Sequence, residues 1–425
     1  MWTRHHDHMS SFTAMVSAAG RVFYVIDEGV RAEIQLPARW MLVARDAYSG
    51  VVLWKRPLEG WHTHLWNLKS GPAQLPRRLV AAGDTVYAML ALDAPLTALD
   101  AATGEVIRTY DGTEGTEEIL LSDGTLYLTV PGEPTARPWA TVDEYESYGE
   151  LRAESRRWSW QRKDRRLLAV GAADGSTLWE QRAPVAPLSP TVDDERVYFH
   201  DGDRIRVLDR ATGQPVWESE SVARADPIRS WFGVTLVAAD DVVVFAGGEK
   251  MIRHRGGKDT MSAFDARTGK KLWTAEHPPS GYDSPEDLFV IDGLVWTAPT
   301  TNKRDTGTFT GRDLHTGEVR HVFEADDGVH MPHHRCHRAK ATEQFIVASR
   351  TGIEYVDLKA QHWDRNDWTR GACLYGVMPA NGLTYAPPHS CACYIVAKLN
   401  GLCALASRRT QAAVAANADA PSRFV

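Results

Sequence analysis

DARTGKKLW, residues 265–273, is a phrase that returns along the chain. DAYSGVVLW (46–54) and DRATGQPVW (209–217) repeat the pattern Asp-x-x-(Ser/Thr)-Gly-x-x-(Leu/Val)-Trp. Degraded copies stand at DAATGEVIR (100–108), ADGSTLW (173–179) and DLHTGEVRH (313–321). Each reads as the end of one strand, a tight turn whose Gly supplies a left-handed backbone, and a new strand opening on an aromatic residue.

A second phrase precedes each copy: a turn with Gly, Asp or Asn, then a short β-rich run. Its eight instances centre on Tyr24, Tyr87, Tyr127, Tyr198, Val244, Trp296, Ile346 and Tyr385. A period of about 40 to 50 residues with about four short strands per unit marks a β-propeller. Two intervals are longer, and insertions at about 27–40 and 135–166 account for them. The expected fold is all-β: a single eight-bladed β-propeller over residues 1–407, followed by a disordered tail at 408–425. Trp54, Trp179, Trp217 and Trp273 are expected to dock one blade on the next.

The Asp-x-x-Thr-Gly-x-x-Leu-Trp phrase resembles the tryptophan-docking repeat of the pyrroloquinoline quinone (PQQ) dehydrogenase-like propellers. The resemblance covers about residues 12 to 407. The C-terminal third (HHRCHRAKAT, SRTGIEYVD and RGACLYGVMPANGLTYAPPHSCACYIVAKLNGLCALA) further resembles planctomycete-type PQQ-like propeller proteins of environmental bacteria. It implies a quinoprotein alcohol dehydrogenase-like fold and either of two roles. One is a quinone-dependent oxidoreductase acting on an alcohol or sugar; the other is an inert scaffold in outer-membrane assembly. Fold alone does not choose between them. Quinone alcohol dehydrogenases resemble one another in a ring disulfide between adjacent cysteines, whereas Ala392 separates Cys391 from Cys393 here. Their Asp base and calcium ligands find no counterpart residue by residue, so no PQQ-binding residue is carried over and PQQ itself is doubtful.

The stretch GVHMPHHRCHRAK (328–340) concentrates His330, His333, His334, Cys336 and His337. On a propeller with strands A to D from axis to rim, D-to-A and B-to-C loops open on one face. The stretch is then the D-to-A loop entering blade seven, and PPHSCACY (387–394) is a B-to-C loop of blade eight. RHHDHM (4–9) enters blade one, and GWHTHLW (60–66) enters blade two. Ten of the sixteen histidines (His5, His6, His8, His62, His64, His330, His333, His334, His337 and His389) are thereby expected on one face. Cys336, Cys373, Cys391 and Cys393 join them.

Imidazole and thiolate suit zinc, copper or iron rather than calcium. The candidate metal ligands are His330, His333, His334, Cys336, His337, Cys373, His389, Cys391, Cys393, His6 and His8. Two other readings stay open: hydrogen bonding at blade junctions, and a thiol redox role. CxxCH is absent from the sequence, so covalent c-type haem is not expected.

A net charge of −7 offers no basic footprint for nucleic acid. No stretch approaches the roughly 20 apolar residues of a membrane span. Lys69, Arg77, Arg78, Arg338, Lys340 and Arg370 supply positive charge on the same blades. They could receive an anion, although pairing with blade-edge carboxylates is the simpler expectation. The Arg/Trp-rich stretch 156–166 could recognise a partner, although a solvated excursion is the simpler expectation.

Few residues precede the first strand, so the strand that closes the ring is expected to be short or missing and the N-terminus truncated. An export signal is not visible, and the resemblance favours an extracytoplasmic, periplasmic home. The reading that follows is a binding or scaffold propeller. Its His/Cys face would take a transition metal, a protein partner or a small ligand; whether it is an enzyme stays open.

Overall fold

The computed structural model describes residues 2–4, 12–29, 38–61, 74–133, 160, 162–222, 224, 233–247, 259–278, 287–298, 307–324, 337–348, 352–373, 375–388, 399 and 401–407. Strands run in chain order from β1 (Trp2–Arg4) to β32 (Leu402–Ala406) and form eight four-stranded antiparallel sheets. Blade 1 is β2 (Phe12–Ala18), β3 (Arg21–Asp27), β4 (Trp40–Asp46) and β5 (Val52–Pro57). Blade 2 opens on β6 (Leu79–Ala82) and blade 3 on β10 (Glu118–Ser122). Blades 4 to 7 open on β14 (Thr191–Val192), β18 (Thr235–Ala239), β22 (Phe289–Ile291) and β26 (Lys340–Ala341). The architecture is the expected all-β eight-bladed propeller.

Blade 8 is composite. Its strands β30 (Met378–Ala380), β31 (Leu383–Ala386) and β32 take β1 as the outer strand, with Trp2 opposite Ala404 and Arg4 opposite Leu402. The closing strand is therefore present, and three residues long. The insertion in blade 3 ends earlier than the sequence indicated. β12 (Arg165–Gly171) already holds Arg165 and Arg166, paired with Glu117 and Glu180. Trp160 is buried in a hydrophobic cluster with Tyr198 and Phe245. These three residues are thus not part of a solvated excursion.

Local chemistry explains both kinds of turn. In several A-to-B hairpins both central residues have positive φ, as at Asp123–Gly124 (44° and 74°) and Asn381–Gly382 (54° and 70°). This is the type I′ geometry that matches strand twist. In the C-to-D turns the Asp of the repeat gathers the chain. Asp265 Oδ1 accepts from the amides of Arg267 and Thr268 and from the Thr268 hydroxyl. Those bonds, the hydroxyl's first, hold its carboxyl below the usual range.

Between blades, the D-strand tryptophan lies on the glycine of the next blade's turn. Trp54, Trp179, Trp217 and Trp273 donate Nε1–H to the carbonyls of Ala101, Arg210, Ala266 and Leu314 at 2.8–3.0 Å. A Cβ on Gly317 would stand 2.7 Å from the Trp273 ring, so only glycine lets the ring lie this close. Blade 2 carries Arg108 where blades 1, 3, 4 and 5 carry Trp. There Arg108 lies beside Gly175, and Tyr110 Oη donates to the equivalent carbonyl of Ala172 (2.5 Å).

Candidate functional site

The innermost strands of successive blades begin at one end of the axis, so the residues just before them form a mouth. Over blades 1 to 4 this mouth is tied by arginine and glutamate. Pro76 opens a single 3-10 turn, Leu75–Arg78, which delivers two guanidiniums to the start of β6. Arg77 donates to Glu118 Oε2 (3.2 Å) and to the Pro190 carbonyl (2.8 Å), reaching two blades on. Glu118, 2% exposed, also accepts from Gln74 Nε2 (3.2 Å) and the Leu188 amide (2.7 Å). Arg78 donates to the Trp61 carbonyl at 3.1 Å.

Over blades 5 to 8 the ties are histidine, aspartate and arginine. His277 Nε2 stands 2.8 Å from the Asp287 carbonyl and Nδ1 2.6 Å from that of Pro278. Asp287 Oδ1 accepts the Ala339 amide at 3.0 Å, which links blade 6 to the entry of blade 7. Arg338 donates to Thr235 Oγ1, across two blades. Lys340 Nζ lies 5.3 Å from the centroid of the Tyr375 ring, and Tyr375 Oη donates to the Met15 carbonyl at 2.7 Å. That last bond joins blade 8 to blade 1. Burial pushes the Tyr375 phenol up, so it stays a donor at any physiological pH.

The predicted ligand set is only partly in view. His337 is 1% exposed, with Nδ1 2.8 Å from the Arg338 carbonyl. Its ring lies so close to Gly376 that a Cβ there would be 2.5 Å from Nδ1. Gly376 closes a reciprocal backbone pair with Ala372 (2.7 and 3.1 Å), in the turn that carries the buried Cys373. His337 thus packs on the segment holding Cys373. His330, His333, His334, Cys336, His389, Cys391, Cys393, His6 and His8 lie outside the described residues, as do His5, His62, His64 and Lys69. Among the described residues no cluster of three or more His, Cys, Asp or Glu is arranged to hold a metal ion. The expected anion-receiving arginines are placed: Arg77 does pair with a carboxylate, whereas Arg78 donates to a carbonyl. Arg370 is buried, 5% exposed.

Glu118, Asp287, His277 and His200 did not stand out in the sequence. They are isolated residues that only the loop geometry brings to this face. The Gly202 amide donates to His200 Nδ1 at 3.0 Å, so the neutral ring carries its proton on Nε2. The ring stacks on Phe245, centroids 4.7 Å apart. Burial lowers its pKa to about 3, with Asp201 opposing. The unfolded chain takes up this proton below about pH 6.5, while the folded chain refuses it until about pH 3. Stability is therefore complete above pH 6.5 and falls as the pH drops, by about 2 kcal/mol between pH 6.5 and 5. Urea midpoints across that window should show this slope in the wild type and a flatter one in His200→Phe.

The family model described as outer membrane protein assembly factor BamB matches residues 139–253 and 203–357. A curated relative, outer membrane protein assembly factor BamB of Burkholderia pseudomallei (strain K96243), is 23% identical over 291 residues, covering 59% of this chain and 73% of that one. Among solved structures, the computationally designed Ika8 protein superposes with a TM-score of 0.56 at 14% identity, covering 95% of this chain and 98% of that chain. The quinohemoprotein alcohol dehydrogenase from Comamonas testosteroni gives 0.51 at 14% identity, covering 88% and 70%. These two likenesses concern the fold alone.

Proposed function

This chain belongs to the PQQ-repeat β-propeller family, whose matching model is described as outer membrane protein assembly factor BamB; from that premise we propose that it is a binding and scaffold propeller. Its docking partner is a protein of an extracytoplasmic envelope assembly, and its tryptophans act as blade-docking residues.

One observation carries this reading: among the described residues, charged side chains on both halves of the mouth tie one blade to another. Arg77 and Glu118 brace blades 2 to 4, while Asp287 and Arg338 brace blades 5 to 7. A rim held this way keeps a fixed shape for a partner. The donor set does not fit PQQ, because Cys391 and Cys393 are not adjacent. Reconstitution with PQQ and calcium is expected to give neither a quinone absorbance nor dye reduction with alcohols or sugars. Either signal would replace the scaffold with an oxidoreductase.

The histidine- and cysteine-rich segments add a transition metal to the proposal. His337 against the Cys373 turn is the described contact that supports it. With Nδ1–H donated to the Arg338 carbonyl, a neutral His337 presents the lone pair of Nε2, the form that ligates zinc, copper or iron. Metal analysis of protein purified without a polyhistidine tag is expected to find one of these metals at about one ion per chain. Trace amounts alone would remove the metal and leave the scaffold intact.

A further inference from the structure

We propose that the junction of blades 1 and 2 is a carboxylate-binding site formed by Thr13, Trp61 and Arg78. The proposal extends the binding reading by naming the chemistry that the face accepts, and it is tested apart from it.

Separate features of the chain bring the three residues to this junction. Phe12 pairs with Ile26 and Ala14 with Val25, so Thr13 is the extra residue of a β-bulge, turned out of the ladder. Bulges of this kind re-aim a side chain. Thr13 is fully buried, and its Oγ1 has no hydrogen-bond partner among the described residues. β2 packs on the turn Leu75–Arg78. From that turn Arg78 donates to the Trp61 carbonyl, which brings the guanidinium to Trp61. Trp61 is 1% exposed, and its Nε1–H has no acceptor among the described residues. Trp54, Trp179, Trp217 and Trp273 all give theirs to a carbonyl.

Arg78 completes the argument. A desolvated guanidinium is ordinarily paired with an anion. Here burial lowers the pKa of Arg78, and the carboxylates that oppose the shift through space are Glu117, Glu118 and Asp93. Glu118 is engaged by Arg77, Gln74 and the Leu188 amide, and Glu117 by Arg165. Among the described residues the guanidinium gives a hydrogen bond to one carbonyl, out of five N–H groups. The site therefore offers the Trp61 N–H, the Thr13 hydroxyl and the unused N–H groups of one guanidinium. Arg78 itself is half-buried rather than enclosed.

The ligand class follows from this donor set. Trp and Arg can only donate, so the ligand must accept. One cation with glutamates close by favours a monoanion over a phosphate dianion, and a planar guanidinium presents a fork that fits a carboxylate.

Thermal melts of the full chain test the site, with sodium propionate, N-acetyl-aspartic acid amide, inorganic phosphate and sodium chloride at matched ionic strength. Propionate and the aspartyl compound are expected to raise the melting temperature saturably above chloride, with phosphate weaker. Arg78→Gln should weaken that response at least tenfold and Trp61→Phe several-fold, while Glu180→Gln at the surface leaves it unchanged. Should Arg78→Gln fail to fold, Trp61→Phe and Thr13→Val carry the test. An aspartyl compound at least tenfold tighter than propionate identifies a protein side chain as the source, and equal affinities identify a free acid. No saturable response, or an Arg78→Gln response equal to wild type, overturns the site and leaves ordered water as the partner of the two orphaned groups. Dye reduction with PQQ would sink the scaffold reading without touching this result.

Discussion

Trp273→Ala is expected to cost about 3–5 kcal/mol of stability, the range for removing a large buried aromatic from a core. Trp273 is 8% exposed and fills the space between blades 5 and 6, its ring on Gly317 and its N–H on the Leu314 carbonyl. Truncation removes the apolar contact, opens a cavity and leaves that carbonyl without its donor. Trp273→Phe keeps most of the apolar surface and loses only the N–H, so about 1 kcal/mol is expected from it. Gly317→Ala approaches the same contact from the other side. Its added methyl meets the indole at 2.7 Å, on a backbone with φ of +72° that only glycine adopts without strain. Urea midpoints of the three variants should therefore rank Trp273→Phe closest to wild type. An alanine loss below about 1 kcal/mol would show that blade stacking does not depend on this contact.

The architecture was legible because the signals that encode it are local and repeated. Asp, Ser or Thr, and Gly recur in most of the C-to-D turns, and all eight central residues of the second phrase fall in second strands of blades: Tyr24 in β3 is the first and Tyr385 in β31 the last. Charge and aromaticity misled in one place. The stretch ending at Arg166 reads as a surface excursion, yet Trp160 is buried and Arg165 and Arg166 are strand residues with carboxylate partners. The composition of a short stretch does not reveal that a neighbouring blade supplies the opposite charge.

The mouth was far less legible. The repeats mark the opposite face, and the groups that tie the mouth share no motif. Glu118 is one acid in TEEIL, Thr13 is singled out only by a bulge, and Arg77 differs from its neighbour Arg78 only in what it reaches. What distinguishes them is position immediately before or at the start of an inner strand, which becomes meaningful only after the blades are counted. The histidine run suffers the opposite problem. It is conspicuous in sequence, yet His337 is the only histidine of that run among the described residues, and it is placed as a junction contact.

Glu118→Ala should be the second severe substitution, at about 3 kcal/mol or more, because it breaks a buried pair from one side. The Leu188 amide and the Gln74 amide lose their acceptor, and the Arg77 guanidinium keeps only the Pro190 carbonyl. Removing one partner costs more than the pair contributes, since the remaining groups stay desolvated. Glu118→Gln preserves a carbonyl oxygen for Leu188 N and turns a donor toward Arg77, so an intermediate loss is expected. Glu180 provides the comparison: its pair with Arg166 is shorter, 2.9 Å against 3.2 Å, but stands at the solvent edge, and Glu180→Ala should cost about 1 kcal/mol or less. The two pairs have the same chemistry and differ in burial, so the contrast measures what the mouth demands. If Glu118→Ala behaves like Glu180→Ala, the mouth is not held rigid by its charged groups, and its fixed shape can no longer support the binding reading.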